Sequence, residues 1–378
     1  MTTMQEPTGT VGVAYSNALL TPQLTAPYLW SVSAGALPAG IALGSATGKL
    51  TGTPTATGTF NFTVKIVDTN GQDATEAIAL TVNTPPYPGA SNTGPVAGTV
   101  LKVIGTGSGQ VSSGPGWAYS SGFVRINGAG TTFNGFQLSG FGVGVYASGV
   151  TIENCVISVG GQSTFPVAIE TDGNNNGNPV TSFTIKNCTV SGSDNNMNRA
   201  AACIKDTYGN ATGLLIQACN LYWASTGIQV YAGHLIGNYI HDLVENVTYG
   251  DHVNGVTVSG GTGAMLIQGN TILNSYGQTD CISLFQDNAP PAIANKTINN
   301  NLIAGGGYCI YGGQSGAGYA GLPATNVVMT NNQISTMYYA EGGAYGPVIY
   351  FTTGNSGNQW SGNVWYDGPN KGVMIPAP

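Results

Sequence analysis

The segment 241–254, HDLVENVTYGDHVN, concentrates groups that move protons or bind polar ligands: His241, Asp242, Glu245, Asp251, His252 and Asn254. Some way downstream, Asp280 precedes Cys281 as Asn254 precedes Gly255. If these stretches are successive turns of one repeat, Asp251 and Asp280 face one another from neighbouring turns, with His252 alongside. Two carboxylates about 5–9 Å apart serve glycoside hydrolysis, one as acid and the other as base or nucleophile. The same residue types also make ordinary turn and cap hydrogen bonds, so Asp251, His252 and Asp280 stand as catalytic candidates beside a purely structural alternative. A second chemistry is binding without reaction. Trp223, Asn254, Asp280, Tyr311 and Tyr350 combine rings and polar groups in a way that suits sugars, which stack on rings and bond to amides and carboxylates. A protein contact, which also favours Tyr, uses the same residues.

Metal and nucleic-acid chemistry have little support. The six Cys form no CxxC pair and no His-rich metal spacing, and free thiols are expected. No cofactor is expected. A structural Ca²⁺ is left open by two oxygen-rich loops, Asp172-Gly-Asn-Asn-Asn and Asp194-Asn-Asn. Only 7% of the 378 residues are charged, and the net charge is −7. Nine scattered Lys and Arg give a phosphate backbone nothing to grip. No stretch is long and apolar enough to insert into a bilayer. The N-terminus shows neither the basic nor the apolar region of a secretory signal, so the chain is expected either to be made in a cytoplasm or to have lost a leader.

The scaffold for these candidates is a repeat. An apolar residue, two variable ones, Asn or Cys, any residue and a second apolar residue recur as Ile152–Cys155–Ile157, Ile185–Cys188–Val190, Ile216–Cys219–Leu221 and Leu235–Asn238–Ile240. The series continues with Ile267–Asn270–Ile272, Ile298–Asn301–Ile303, Met329–Asn332–Ile334 and Trp360–Asn363–Trp365. Successive central positions lie 33, 31, 19, 32, 31, 31 and 31 residues apart. A further strand follows each copy, marked by a small residue and an aliphatic one, from Gly144-Val145 through Gly255-Val256 and Cys281-Ile282 to Val348-Ile349. Its outward positions are expected to run Tyr146, Glu170, Lys205, Gln229, Thr257, Ser283, Tyr311, Tyr350 as one long polar face. A single such coil cannot bury its apolar side alone; coils stacked about 4.8 Å apart can. Equivalent side chains then form columns, and Asn238, Asn270, Asn301, Asn332 and Asn363 are expected to hydrogen-bond into a ladder. Cys155, Cys188 and Cys219 fill the same column as packing residues.

This pattern resembles the pectate-lyase-like right-handed β-helix superfamily over about residues 98–366. The resemblance implies the fold only. Of the polygalacturonase-like catalytic set the chain has Gln278-Thr279-Asp280 and Gly250-Asp251-His252, without the Asp-Asp or Arg-Ile-Lys. Arg125 and Arg199, the bases a lyase would draw on, are not near an acidic cluster in sequence, and Lys205 beside Asp206 is the nearest alternative.

Upstream, Phe60, Phe62, Val64 and Ile66 alternate, Asp68-Thr-Asn-Gly71 gives a turn, and Ile78, Leu80 and Val82 resume the alternation. Leu37, Pro38, Gly40, Gly48, Gly52, Thr53, Pro54, Gly58, Phe62, Val64, Asp68 and Gly71 resemble the pattern of the cadherin-like Ig domains of bacterial surface and phage proteins. That family supplies spacer or adhesion modules and implies no catalysis. The expected all-β organisation is an N-terminal tail (1–7), an Ig-like β-sandwich (8–84), a Pro/Gly linker (85–97), a right-handed parallel β-helix solenoid (98–366) and a C-terminal tail or cap (367–378). The arrangement looks like minor tail proteins of actinobacterial phages. It implies a non-enzymatic tail protein in the virion, binding a host cell-surface glycan or other tail proteins, as a homo-oligomer and by preference a trimer. A polysaccharide depolymerase, hydrolase or lyase, and a secreted extracellular adhesin are the alternatives.

Overall fold

The computed structural model describes residues 8–10, 15–19, 26–54, 56–83, 87–160, 167–171, 179–193, 200–207, 209, 211–245, 250–285, 293–313 and 322–378. All regular structure among them is β. Contacts divide the chain into two units, Met1–Ser91 and Asn92–Pro378.

The first unit is an Ig-like sandwich. Thr8–Thr10, Asp73–Asn83, Gly58–Val67 and Leu29–Gly35 form a four-stranded sheet, and Tyr15–Ala18, Lys49–Gly52 and Ile41–Leu43 a three-stranded one. The alternation in 60–66 buries Phe62, Val64 and Ile66 against Trp30, Leu50 and Leu80. The turn after Val67 closes because Asp68 Oδ1 accepts from the amides of Asn70 (2.8 Å) and Gln72 (2.9 Å).

The second unit is a parallel β-helix built from a nine-, a ten- and an eleven-stranded sheet. Each sheet lines the interior with one aliphatic column. Ile152, Ile185, Ile216, Leu235, Ile267 and Ile298 line the nine-stranded sheet in register, and Ile157, Val190, Leu221, Ile240, Ile272 and Ile303 the ten-stranded one. Val143, Ile169, Ile204, Ile228, Val256, Ile282 and Ile310 line the eleven-stranded sheet. All of these residues are buried. The repeated motif is thus two short strands on different sheets, meeting at a sharp bend. The residue before each column Cys or Asn makes that bend with positive φ: Asn154, Asn187, Ala218, Gly237, Gly269, Asn300, Asn331 and Gly362.

At that bend the amides interlock. Asn270 Nδ2 donates to Asn301 Oδ1 of the next coil (2.9 Å) and to Leu235 O of the previous one (2.9 Å). Asn301 Oδ1 also accepts from the Asn270 backbone amide at 2.9 Å. The same set repeats from Asn238 through Asn332 to Asn363. Cys155, Cys188 and Cys219 occupy the column as free, buried thiols. Their Sγ atoms lie 3.6, 3.7 and 3.8 Å from the carbonyls of Phe133, Ile152 and Ile185, where the asparagines place Nδ2.

Both ends of the stack are closed. Ser113–Gly114, Trp117–Ser120 and Phe123–Ile126 form antiparallel pairs before the first coils, with Trp117 edge-on to Phe133. At the other end, 367–378 is a cap: Val364 and Met374 bridge antiparallel, Ile375 N donates to Asn363 O (2.9 Å), and Ile375 is buried. Part of the expected Pro/Gly linker is tied to the coils, since Gly94 N donates to Ala218 O (2.9 Å) and Val96 N to Asn154 Oδ1 (3.3 Å).

Candidate functional site

Asn254 and Asp280 are direct register partners on the eleven-stranded sheet, as the repeat spacing implies. Neither is on an open surface, which corrects their assignment to a glycan-contacting face: Asp280 is fully buried and Asn254 is 7% exposed. Beside them, Asn274 Nδ2 donates to both Val253 O (2.7 Å) and Asp280 O (2.9 Å), and Thr279 Oγ1 also donates to Val253 O. These bonds clamp the entrances of the two strands together. Asn254 Oδ1 accepts no hydrogen bond among the described residues. Asp251 is half-buried just upstream of this clamp, and His252 is exposed. The catalytic candidates are therefore not gathered on one accessible surface. The oxygen-rich loops at 172–176 and 194–196, and Arg199, lie outside the described residues.

The outward row of the eleven-stranded sheet also differs from expectation at both ends. Register gives Arg125, Gly144, Glu170, Lys205, Gln229, Thr257, Ser283, Tyr311 and Ile349. Gly144 takes the place expected for Tyr146, and Ile349 that expected for Tyr350. Thr257 and Ser283 are buried, so the polar face is interrupted in its middle.

Beyond that break the row becomes aromatic. Tyr311 has ring neighbours in Phe285 (5.6 Å), Tyr308 (5.8 Å) and Tyr350 (5.8 Å), and Tyr308 meets Tyr345 at 5.9 Å. Tyr345 and Tyr350 are 67% and 43% exposed, so the row opens outward. Burial, then the nearby Asp280 charge, pushes the Tyr311 phenol up to about 12. The Tyr311 hydroxyl is thus a neutral donor and acceptor at ordinary pH.

Trp223 is not part of that row. It lies at the edge of the ten-stranded sheet, at positive φ (58°), beside the like-shaped bend of Asp242 (φ 45°); Trp223 N donates to Asp242 O at 3.0 Å. Two adjacent coils place Asn220 opposite Tyr239 and Tyr222 opposite His241. The His241 ring stacks on Tyr239 (3.9 Å, 15°) and lies 5.2 Å from Tyr222. Its Nδ1 bonds Asp242 Oδ2 (2.7 Å) and its Nε2 bonds Asn220 Oδ1 (2.8 Å). Burial holds the imidazole below its ordinary pKa, opposed by the Asp242 carboxylate. Trp223 stands edge-on to Tyr222, 4.8 Å away at 81°. His241 and Asp242 were legible as chemistry-bearing residues; Asn220, Tyr222 and Tyr239 were not singled out, although each lies one or three residues after a column Cys or Asn.

Among the described residues no group of three or more His, Cys, Asp or Glu is placed to hold a metal ion. The model of the family described as "Putative Ig domain" matches residues 2–83. A solved structure, the solution structure of the PKD domain from KIAA 1837 protein, is 19% identical over 22% of this chain and 86% of its own, with a TM-score of 0.19. No curated protein matches the chain. The N-terminal unit is an Ig-like domain, joined in one chain to a parallel β-helix.

Proposed function

We propose that the chain is a non-enzymatic recognition protein of a phage tail, whose β-helix holds host-surface glycans on the row Phe285, Tyr311, Tyr308, Tyr345 and Tyr350. The observation that carries this is the row itself: five rings on three successive coils, neighbours 5.6–5.9 Å apart, with Tyr345 and Tyr350 exposed. Coil stacking sets a repeat of about 4.8 Å, close to the length of a sugar ring, so a glycan chain laid along the stack meets aromatic rings on each of three coils. Each ring contact contributes about 0.5–1.5 kcal/mol, and several together give useful affinity without any one being strong. The burial of Asp280 speaks against hydrolysis at the Asp251–Asp280 pair, because a general acid must reach the glycosidic oxygen. Placement in a virion tail, and assembly there as a homo-oligomer, rest on the combination of an Ig-like unit, a β-helix and very low charge. The test is sedimentation of the purified chain with insoluble cell-wall polysaccharide from actinobacterial hosts. The chain should co-sediment, and Tyr311→Ala with Tyr350→Ala should weaken binding roughly tenfold or more. New reducing ends or unsaturated sugar products would overturn the non-enzymatic assignment. Full binding by the double variant would overturn the role of the row.

A further inference from the structure

The cluster at Trp223 is a different surface from the tyrosine row, with a different chemistry. Tyr222 and Trp223 meet at 81° and form two walls of a corner. Tyr239 and His241 continue the Tyr222 wall on the next coil. At its rim is the Asp242 carboxylate, 68% exposed. His241 holds Asp242 Oδ2 and is itself fixed through Asn220, so the carboxylate is oriented before any ligand arrives. Tyr338, from the turn three coils further on, is also within the field of Asp242, whose charge adds to burial in raising that phenol. An aromatic corner attracts a cation through the ring faces, and most strongly through Trp. The exposed carboxylate adds a charged hydrogen-bond acceptor at the same place. The chain's net charge of −7 draws positive ligands in general.

We propose that Tyr222, Trp223, Tyr239 and Asp242 form a second carbohydrate subsite, which takes a sugar bearing a free amine. The pyranose ring packs into the corner while its ammonium pairs with Asp242. A neutral or N-acetylated sugar gains the packing but not the ion pair, and a flexible basic peptide gains the ion pair without a flat ring to fill the corner.

The test uses the full chain and two defined probes, the hexamer of β-1,4-linked glucosamine and its fully N-acetylated counterpart, compared by calorimetry at mildly acidic pH. The free-amine hexamer should bind roughly ten- to a hundredfold more tightly, the range of one charge-assisted bond. Asp242→Asn should abolish that preference, and Trp223→Ala should weaken both probes. Tyr311→Ala should leave the preference unchanged, which separates this subsite from the tyrosine row. Asp242→Asn is nearly isosteric and sits on the surface, so the test survives if Trp223→Ala fails to fold. Equal binding of the two hexamers, binding of neither, an undiminished preference in Asp242→Asn, or equal affinity for oligolysine would each overturn the proposal.

Discussion

Replacing Asn301 by Leu probes the amide column where it is continuous on both sides. In the wild-type chain Asn301 Nδ2 donates to Ile267 O and to Asn332 Oδ1, each at 2.9 Å. Its Oδ1 accepts from the backbone amide and from the side-chain amide of Asn270, again at 2.9 Å each. Leu has the same branched heavy-atom skeleton, with bulkier methyl groups, and supplies none of these. Asn332 Oδ1 keeps the Asn301 backbone amide, so it is not orphaned. Three groups are: the Asn270 N–H, one hydrogen of the Asn270 amide, and Ile267 O. All are sealed in the interior, since Asn270, Asn301 and Ile267 are at most 1% exposed. Each stranded group costs about 1–3 kcal/mol, and burying the leucyl carbons returns about 1–2 kcal/mol. The expected net loss is about 3 kcal/mol. Cys188→Val is the matched control, because its thiol, 3.2 Å from Lys186 O and 3.7 Å from Ile152 O, is only a weak donor; it should cost under about 1 kcal/mol. Urea unfolding followed by tryptophan fluorescence and far-ultraviolet circular dichroism reads both variants. If Asn301→Leu unfolds at the wild-type midpoint with an unchanged slope, the amide column contributes nothing to stability and the reasoning fails.

Two other perturbations are as direct. Ala218 is the one column-preceding residue that is neither Asn nor Gly, yet it has φ +52°, so Ala218→Gly should stabilise the chain by about 1 kcal/mol, measured in the same urea titration. Burial pushes the Cys203 and Cys309 thiols from 9.0 up to about 12. Their contribution to stability is complete below the unfolded thiol pKa and is lost as pH rises from about 9 to about 12. Lys296, buried with its Nζ on Tyr231 O and Gly263 O, is lowered from 10.5 to about 8 and acts the opposite way. Its unfavourable charge is relieved as pH climbs from about 8 to 10.5, so Lys296→Met should lose that compensating rise and show a steeper alkaline decline. Unfolding midpoints across that pH range decide it; identical profiles for wild type and Lys296→Met would contradict the sign.

Much of the fold is legible in the sequence because stacking makes each coil repeat its neighbour's chemistry. Ile267, Asn270 and Ile272 recur with the same spacing as Ile298, Asn301 and Ile303, and only parallel coils in register use that repetition. The bend leaves its mark too, in the Asn or Gly before seven of the eight column residues. Frame is where the pattern is ambiguous. In Val143-Gly-Val145 both valines are buried, so either fits the aliphatic column, and the wrong choice moved the outward position from Gly144 to Tyr146. Val348 and Ile349 are adjacent aliphatics and allow the same slip by one residue. The burial of Asp280 and Ser283 was hidden for another reason. Asp280 and Ser283 stand against Asn254 and Thr257 of the previous coil, pairings between residues 26 positions apart that no local pattern encodes. The Trp223 corner likewise exists only once the nineteen-residue coil sets Asn220 beside Tyr239.

The column that changes from thiols to amides along the stack also makes the molecule mechanically uneven. From Cys155 to Cys219 the sulfurs meet their carbonyls at 3.6–3.8 Å, whereas from Asn238 to Asn363 each rung is tied by amide bonds of about 2.9 Å. Under tension applied to its two termini, the solenoid should yield first in its Cys-bearing coils, the last of which carries Tyr222 and Trp223, while the coils carrying Tyr308, Tyr311 and Tyr350 stay wound.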